Sequence, residues 1–472
     1  MPSLRLLALV ITAVAGSAPA AFGAPEPVPL FRDHAVLQRD KPVPVWGRAA
    51  PGEHVTVSFA GQAVGATAGP DGRWITVLAP LAANSTGADL TIAGKVTVTL
   101  HDVLVGEVWL CSGQSNMLMM VDAGDPINRV VNADAEVAAA RHPLIRHFKV
   151  ERRASAVPLE EARGEWTVCS PGTVGHFTAA GYFFARDLLS RLDVPIGIIN
   201  CTQGGTPVES WMSPAALAAF PGLAGGRPAP GVSQGDVDPQ VPGSLFNGMI
   251  HPLLHYAIRG AIWYQGEGNL GHAADYAVRF PAMITAWRSH FGQGDFPFFW
   301  VQLANFTSPT EAPGEQWALL REAQSKALSL PATGQAVAID IGEAGNVHPR
   351  NKQEVGRRLA LIAKAKVYSI PVDYSGPVYR QAEPEGSSLR VGFSFAADGL
   401  TASEKPLQSF EVAGADRVFH PASAVIQGDF VTVRSAAVKE PVAVRYAWRN
   451  APEANLYNGA GLPAAPFRSD DW

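Results

Sequence analysis

Val108-Trp109-Leu110-Cys111-Ser112-Gly113-Gln114-Ser115-Asn116-Met117 begins as an unbroken apolar run and ends in a small, polar, glycine-containing turn. A strand buried on both faces of a parallel sheet reads this way, as a continuous apolar run with no alternation. The same signature recurs at Ile196-Gly197-Ile198-Ile199, Ala261-Ile262-Trp263-Tyr264, Phe298-Phe299-Trp300-Val301 and Ala336-Val337-Ala338-Ile339. Helical stretches lie between these runs, at Ala179–Leu192, Tyr276–Phe291, Trp317–Leu328 and Gln353–Lys364. Strand–helix alternation predicts an α/β doubly wound sheet over residues 106–366, with any chemistry gathered at the carboxyl ends of its strands.

The rhythm changes on either side. Residues 25–105 alternate apolar and polar, as in Val55-Thr56-Val57-Ser58-Phe59, between Gly/Pro turns such as Gly69-Pro70-Asp71-Gly72. Period-two runs between such turns predict antiparallel strands and a small N-terminal β domain. Residues 367–472 return to strands, for example Ser388–Phe393 and Val431–Val433, and predict a C-terminal β-sandwich-like domain.

The composition supports this division. Of 472 residues, 47% are hydrophobic and only 17% charged, below the usual share of about 25%, which argues against long disordered or coiled-coil segments. Gly (46) and Pro (38) are in excess, as many turns require. The net charge of −5, with no extended Lys/Arg run, excludes a counterion-releasing nucleic-acid surface. Residues 1–24 read as a signal peptide: Arg5 is the only charge, Leu6–Ala15 are almost wholly apolar, and small residues lead to cleavage between Ala20 and Ala24. Export to the periplasm or the extracellular space is expected, with no membrane attachment after cleavage. The three cysteines, Cys111, Cys169 and Cys201, make no disulfide framework. No Cys/His spacing suits a metal, and no phosphate-cradling glycine loop is present, so no cofactor and no metal are expected. His251 and His255 sit four apart, but Pro252-Leu253-Leu254 between them reads as a buried helical turn.

Four segments follow strands in the middle region. Ser115 sits in the turn after the first strand. Gly204 and Gly205 in Thr202-Gln203-Gly204-Gly205-Thr206 let backbone amides approach a ligand closely. Gln265 and Asn269 in Gln265-Gly266-Glu267-Gly268-Asn269 supply amide donors. His348 in Asn346-Val347-His348-Pro349 stands before a helix. Each segment alone is unremarkable. Together, in this order and each after its own strand, they supply a nucleophile, oxyanion donors and a base, the parts of an acyl-transfer site.

These four blocks resemble those of the SGNH hydrolase superfamily. More closely, the mature chain resembles the sialate O-acetylesterase family. The likeness runs through Leu30–Arg39, Gly113–Met117, Gly205–Trp211, Trp263–Asn269, His348–Lys352, Asn455–Asn458 and Pro466–Arg468. It implies a flavodoxin-like, three-layer α/β/α catalytic domain flanked by two small β domains. It also implies a serine esterase that removes O-acetyl groups from a carbohydrate, first of all 9-O-acetylated sialic acid, through an acetyl-Ser115 intermediate. The superfamily pattern favours Asn269 as the side-chain oxyanion donor, while Gln265 lies nearer its strand end. The acid that orients His348 is a departure: Gly345 and Asn346 occupy the positions where relatives carry Asp. Asp340 is the nominated third member, with Asn346, Glu343 or a backbone carbonyl as alternatives. Glu209, Trp211, Glu267, Trp317, Arg321 and Arg350 are candidate substrate contacts, Arg350 as reader of a sialic-acid carboxylate. A xylan or pectin-type acetylesterase shares the same chemistry, and a non-catalytic carbohydrate-binding protein is the reading from another class.

Overall fold

The strands of the central sheet are β1 (Thr97–Gly113), β2 (Ile145–Lys149), β3 (Trp166–Val168), β4 (Ile196–Thr202), β5 (Gly260–Tyr264), β6 (Phe298–Val301) and β7 (Thr333–Ala336). They lie in the order β3-β2-β4-β1-β5-β6-β7, all parallel except β3, which runs antiparallel to β2. The computed structural model describes residues 23–125, 128–226, 237–307, 314–403 and 406–472. The expected signal segment therefore lies outside the described residues except for Gly23 and Ala24. No helix among the described residues is long and apolar enough to cross a membrane.

Every residue of β4, β5 and β6 is buried, as the apolar runs require. The last strand ends at Ala336, earlier than the run to Ile339 suggested. Residues 337–339 are still buried, but they leave the ladder to start the loop that carries His348. Five helices bear on these strands, α1 (Ser115–Leu118), α2 (Ala179–Leu192), α3 (Ala273–Phe291), α4 (Gln316–Lys326) and α5 (Lys352–Lys366), and two shorter ones lie at Ala133–Ala139 and Pro214–Leu217. Successive strand residues face opposite sides, and Phe299 and Trp300 show which helices each side carries. Phe299 shares the Gly334 gap with Ile362 of α5, whereas the Trp300 ring lies 5.3 Å from Phe280 of α3. On the first side α2 packs on α5 so closely that a Cβ at Gly356 would sit 2.5 Å from the Phe183 Cβ. On the other side α3 packs on α4.

β1 is 17 residues long and is shared by two groups of strands in one continuous sheet. Its first half pairs with the antiparallel strand Asn84–Ala93, Val36–Gln38 runs parallel to it at Leu104–Gly106, and its second half carries β4 and β5. One strand thus runs straight through the 105/106 position, and one hydrophobic core extends from Val28 to Ala363. The C-terminal residues have a separate core, Leu389–Phe467, closed between two four-stranded antiparallel sheets.

The register decides where the site forms. Thr202 pairs with Gly113, and Gly113 pairs with Tyr264. The three central strands therefore end level, and the segments that follow them emerge side by side.

Candidate active site

Gly113 closes β1 at φ +130°, and a Cβ there would meet the Tyr264 carbonyl oxygen at 2.2 Å. Only glycine allows the chain to turn tightly against β5 at this point. The Gln114 N–H then donates to Tyr264 O (2.9 Å), and Gln114 Oε1 accepts from the Gly266 and Gly268 N–H groups (3.3 and 3.0 Å). On the other flank Gln203 N donates to Gly113 O (3.1 Å), and Ser112 Oγ donates to Cys201 O (2.7 Å). Ser115, half-buried, is presented at the start of α1. Gly204 lies beside it, its absent Cβ 3.7 Å from the Ser115 Cβ. The N–H groups of Ser115 and Gly204 donate to no group among the described residues. Both belong to residues that adjoin at the Ser115 side chain.

Gln265 and Asn269 separate at this point. Gln265 is fully buried, and its Nε2 donates to both Thr206 O (3.2 Å) and Asn269 Oδ1 (2.8 Å). An amide nitrogen carries two hydrogens, so Gln265 has none left for an oxyanion. That expectation is corrected. Asn269 Oδ1 also accepts from Val208 N, and its Nδ2 gives one hydrogen to Glu209 (2.9 Å), leaving the second without a partner among the described residues.

His348 is half-buried on the loop between β7 and α5. Its own N–H donates to Asn346 Oδ1 (3.0 Å), so Asn346 caps the loop backbone and does not orient the imidazole. Both carboxylate oxygens of Asp340 are taken by Arg358, at 2.6 and 2.7 Å, in a buried pair. Neither nominated partner reaches the ring, and neither His348 ring nitrogen nor Ser115 Oγ has a hydrogen-bond partner among the described residues. Burial, followed by the nearby charge of Lys352, holds the His348 pKa below its ordinary 6.5. That keeps the imidazole in the neutral form a base requires.

The two loops are joined by residues that spacing did not single out. Asn116, the residue after Ser115, donates through Nδ2 to Val347 O (2.9 Å), the residue before His348, and to Glu267 Oε1 (2.5 Å). Its Oδ1 accepts from Lys352 Nζ (2.7 Å), which also donates to Pro349 O (2.7 Å). The only signal in the sequence was that Asn116 and Lys352 flank motif residues.

Most of the expected sugar contacts are structural. Trp211 is fully buried, its Nε1 on Thr206 Oγ1 and its ring edge-on to Trp263. Trp317 is 3% exposed against Phe306. Arg321 is fully buried and donates to four carbonyls, those of Leu303, Ala304, Arg449 and Asn450. It clamps the C-terminal region to the sheet. Glu209 is buried between Arg279 and Asn269. Arg350 is exposed near His348, but Glu343 accepts from its backbone N–H (2.9 Å) and from its Nε (3.2 Å).

A family model described as carbohydrate esterase, sialic acid-specific acetylesterase, matches residues 105–364. The chain belongs to this family. It is a carboxylic ester hydrolase, and the matched residues hold the second half of β1, strands β2 to β7 and all four strand-end segments. The sialate O-acetylesterase of Pongo abelii is 31% identical over 90% of this chain and 88% of its own. That of Rattus norvegicus is 29% identical over 92% of each. Among solved structures, a carbohydrate acetylesterase from Xanthomonas citri is 44% identical, with a TM-score of 0.87 over 95% of this chain and 100% of that one.

Proposed function

We propose that this family member is a serine esterase of the SGNH type that removes O-acetyl groups from carbohydrate, with Ser115 as nucleophile and His348 as base. In this reading His348 takes the Ser115 hydroxyl proton as Oγ attacks the acetyl carbonyl. The oxyanion of the tetrahedral intermediate accepts from the Ser115 N–H, the Gly204 N–H and the free hydrogen of Asn269. Collapse breaks the bond to the sugar oxygen, which leaves with the proton held by His348, and acetyl-Ser115 remains. Water, deprotonated by His348, attacks the acyl carbonyl and releases acetate and free Ser115. One oxyanion donor is typically worth about 3–4 kcal/mol.

The observation that carries this reading is the level ending of β4, β1 and β5, which sets free N–H donors beside Ser115, together with the Asn116 bridge to the His348 loop. With no partner on the His348 ring among the described residues, we read the pair as a dyad whose base is held by its loop. The order β4-β1-β5-β6-β7 matches a flavodoxin-like sheet with β2 and β3 added at the edge.

The curated relatives are named for sialate, which makes 9-O-acetylated sialic acid the first substrate to try. One observation favours the second reading, an acetylated neutral polysaccharide such as xylan: the Arg350 charge is already paired with Glu343 and offers a carboxylate little. Acetate release from p-nitrophenyl acetate, 9-O-acetylated sialic acid and acetylated xylan, with wild type and Ser115→Ala, tests both. A loss on the order of 10⁴-fold or more in the variant is expected, and the substrate ranking separates the two glycans. An undiminished rate in Ser115→Ala contradicts the mechanism.

A further inference from the structure

Lys352 and Glu267 form a pair of charges beneath the site that the reaction above does not use. Lys352 is fully buried on the first turn of α5, 5.2 Å from the Tyr264 ring centroid. Its hydrogen bonds go to Asn116 Oδ1 and Pro349 O. Glu267 accepts from Asn116 Nδ2 through one carboxylate oxygen, while the other is buried without a hydrogen-bond partner among the described residues. Buried charges are costly unless paired. This pair is joined by a carboxamide whose oxygen faces the cation and whose nitrogen faces the anion. Asn116 is therefore gripped at both ends, and its remaining donor reaches Val347 O.

We infer that Lys352 and Glu267 are positioning residues which, through the Asn116 carboxamide, lock the Ser115 turn against the His348 loop. The inference rests on the assignment of Ser115 and His348 made above. The geometry is closed on both sides of the histidine: Asn116 holds the Val347 carbonyl before it and Lys352 holds the Pro349 carbonyl after it. Each of the two charges has a backbone or amide partner tied to the site, and neither lies on an exposed surface where a solvated ion pair would form.

The arrangement also bears on the base. The charged groups around His348 are Lys352 on α5, Glu343 and Arg350 on its own loop, which pair with each other, and Glu267 beyond Asn116 on the β5 side. Burial lowers the Lys352 pKa to about 7 and raises that of Glu267, each partly offset by the other's charge. Below that pH Lys352 is cationic, and its charge opposes protonation of His348.

The test is the pH profile of p-nitrophenyl acetate hydrolysis by Lys352→Met, Glu267→Gln and Glu267→Leu, with thermal unfolding of each and Ser115→Ala as reference. For Lys352→Met the inference expects kcat to fall roughly 10–100-fold, the loss a misplacement near 1 Å produces, with KM little changed. The acid limb of kcat/KM should move to higher pH. Glu267→Gln, which keeps an acceptor for Asn116, should retain more activity than Glu267→Leu. If either single variant fails to fold, Lys352→Met/Glu267→Gln removes the buried cation and the half-buried anion together and carries the same expectation. A folded Lys352→Met variant with wild-type kcat and an unmoved acid limb overturns the inference. If Ser115→Ala is inactive in that experiment, the nucleophile assignment survives; if Ser115→Ala is active, that assignment fails instead.

Discussion

Three glycines within reach of one another make different predictions for one added methyl group. At Gly204 an alanine Cβ would sit 3.7 Å from the Ser115 Cβ and 3.8 Å from Leu118 Cδ2, ordinary contact distances, and the backbone is not left-handed. Gly204→Ala should fold at least as stably as the parent, with a gain of up to about 1 kcal/mol from the stiffer unfolded chain. The methyl nonetheless enters the space beside the hydroxyl where the acetyl group must lie. kcat/KM should fall on the order of 10–10²-fold, as small displacements of reacting groups do. Gly205 reverses the pattern. Its φ of +69° is strained for alanine, but nothing lies within 4 Å of the added atom. Gly205→Ala should cost about 1–2 kcal/mol of stability and lose less activity than Gly204→Ala. Gly113→Ala, meeting a carbonyl at 2.2 Å, should fail at the level of folding. Urea unfolding paired with p-nitrophenyl acetate kinetics measures all three. A fully active Gly204→Ala, with the catalytic loss in Gly205→Ala, would show that the acyl group does not sit where β4 and β1 end.

The remaining predictions concern residues the structure reassigns. Arg321→Met removes four bonds to backbone carbonyls, three of them on buried residues; at about 1 kcal/mol each, denaturation should show a loss of about 4 kcal/mol, and a stable variant with only a raised KM would restore Arg321 to the substrate site. Asp340→Asn weakens the buried pair with Arg358, which keeps Glu354 as a second partner, and should cost about 1–3 kcal/mol, while the variant keeps most of its kcat; a folded variant slowed on the order of 10⁴-fold would make Asp340 the orienting acid after all. For the pH profile the sign follows from His348. Its pKa is lowered below 6.5, so the base form persists on mild acidification, and kcat/KM should hold below pH 6.5 and decline only as pH falls through that lowered value. An acid limb above 6.5 would contradict the burial and the Lys352 effect.

The sheet was legible because a parallel strand buried on both faces leaves a local mark, as at Phe298–Val301, where all four residues are buried. The turn at Gly113-Gln114-Ser115 was legible for the same reason: the residues that end the strand also shape the turn. Side-chain partners were not, because they arrive from distant parts of the chain. Asn116 and Lys352 are 236 positions apart, and no periodicity links them. Arg321, Trp211 and Glu209 carried the residue types of a sugar site. Their fully or largely buried places, and the carbonyls and amides that occupy them, depend on how α3 and α4 pack, which spacing does not report. Asp340 likewise had the right position along the chain, but Arg358, on the helix after His348, takes both its oxygens.

The most direct test of the account is mass spectrometry of the full-length enzyme quenched during turnover of p-nitrophenyl acetate. One added acetyl group is expected, located by peptide mapping on Ser115, absent from Ser115→Ala and cleared by hydrolysis in wild type. An acetyl group on another residue, or steady acetate release by Ser115→Ala, would contradict it.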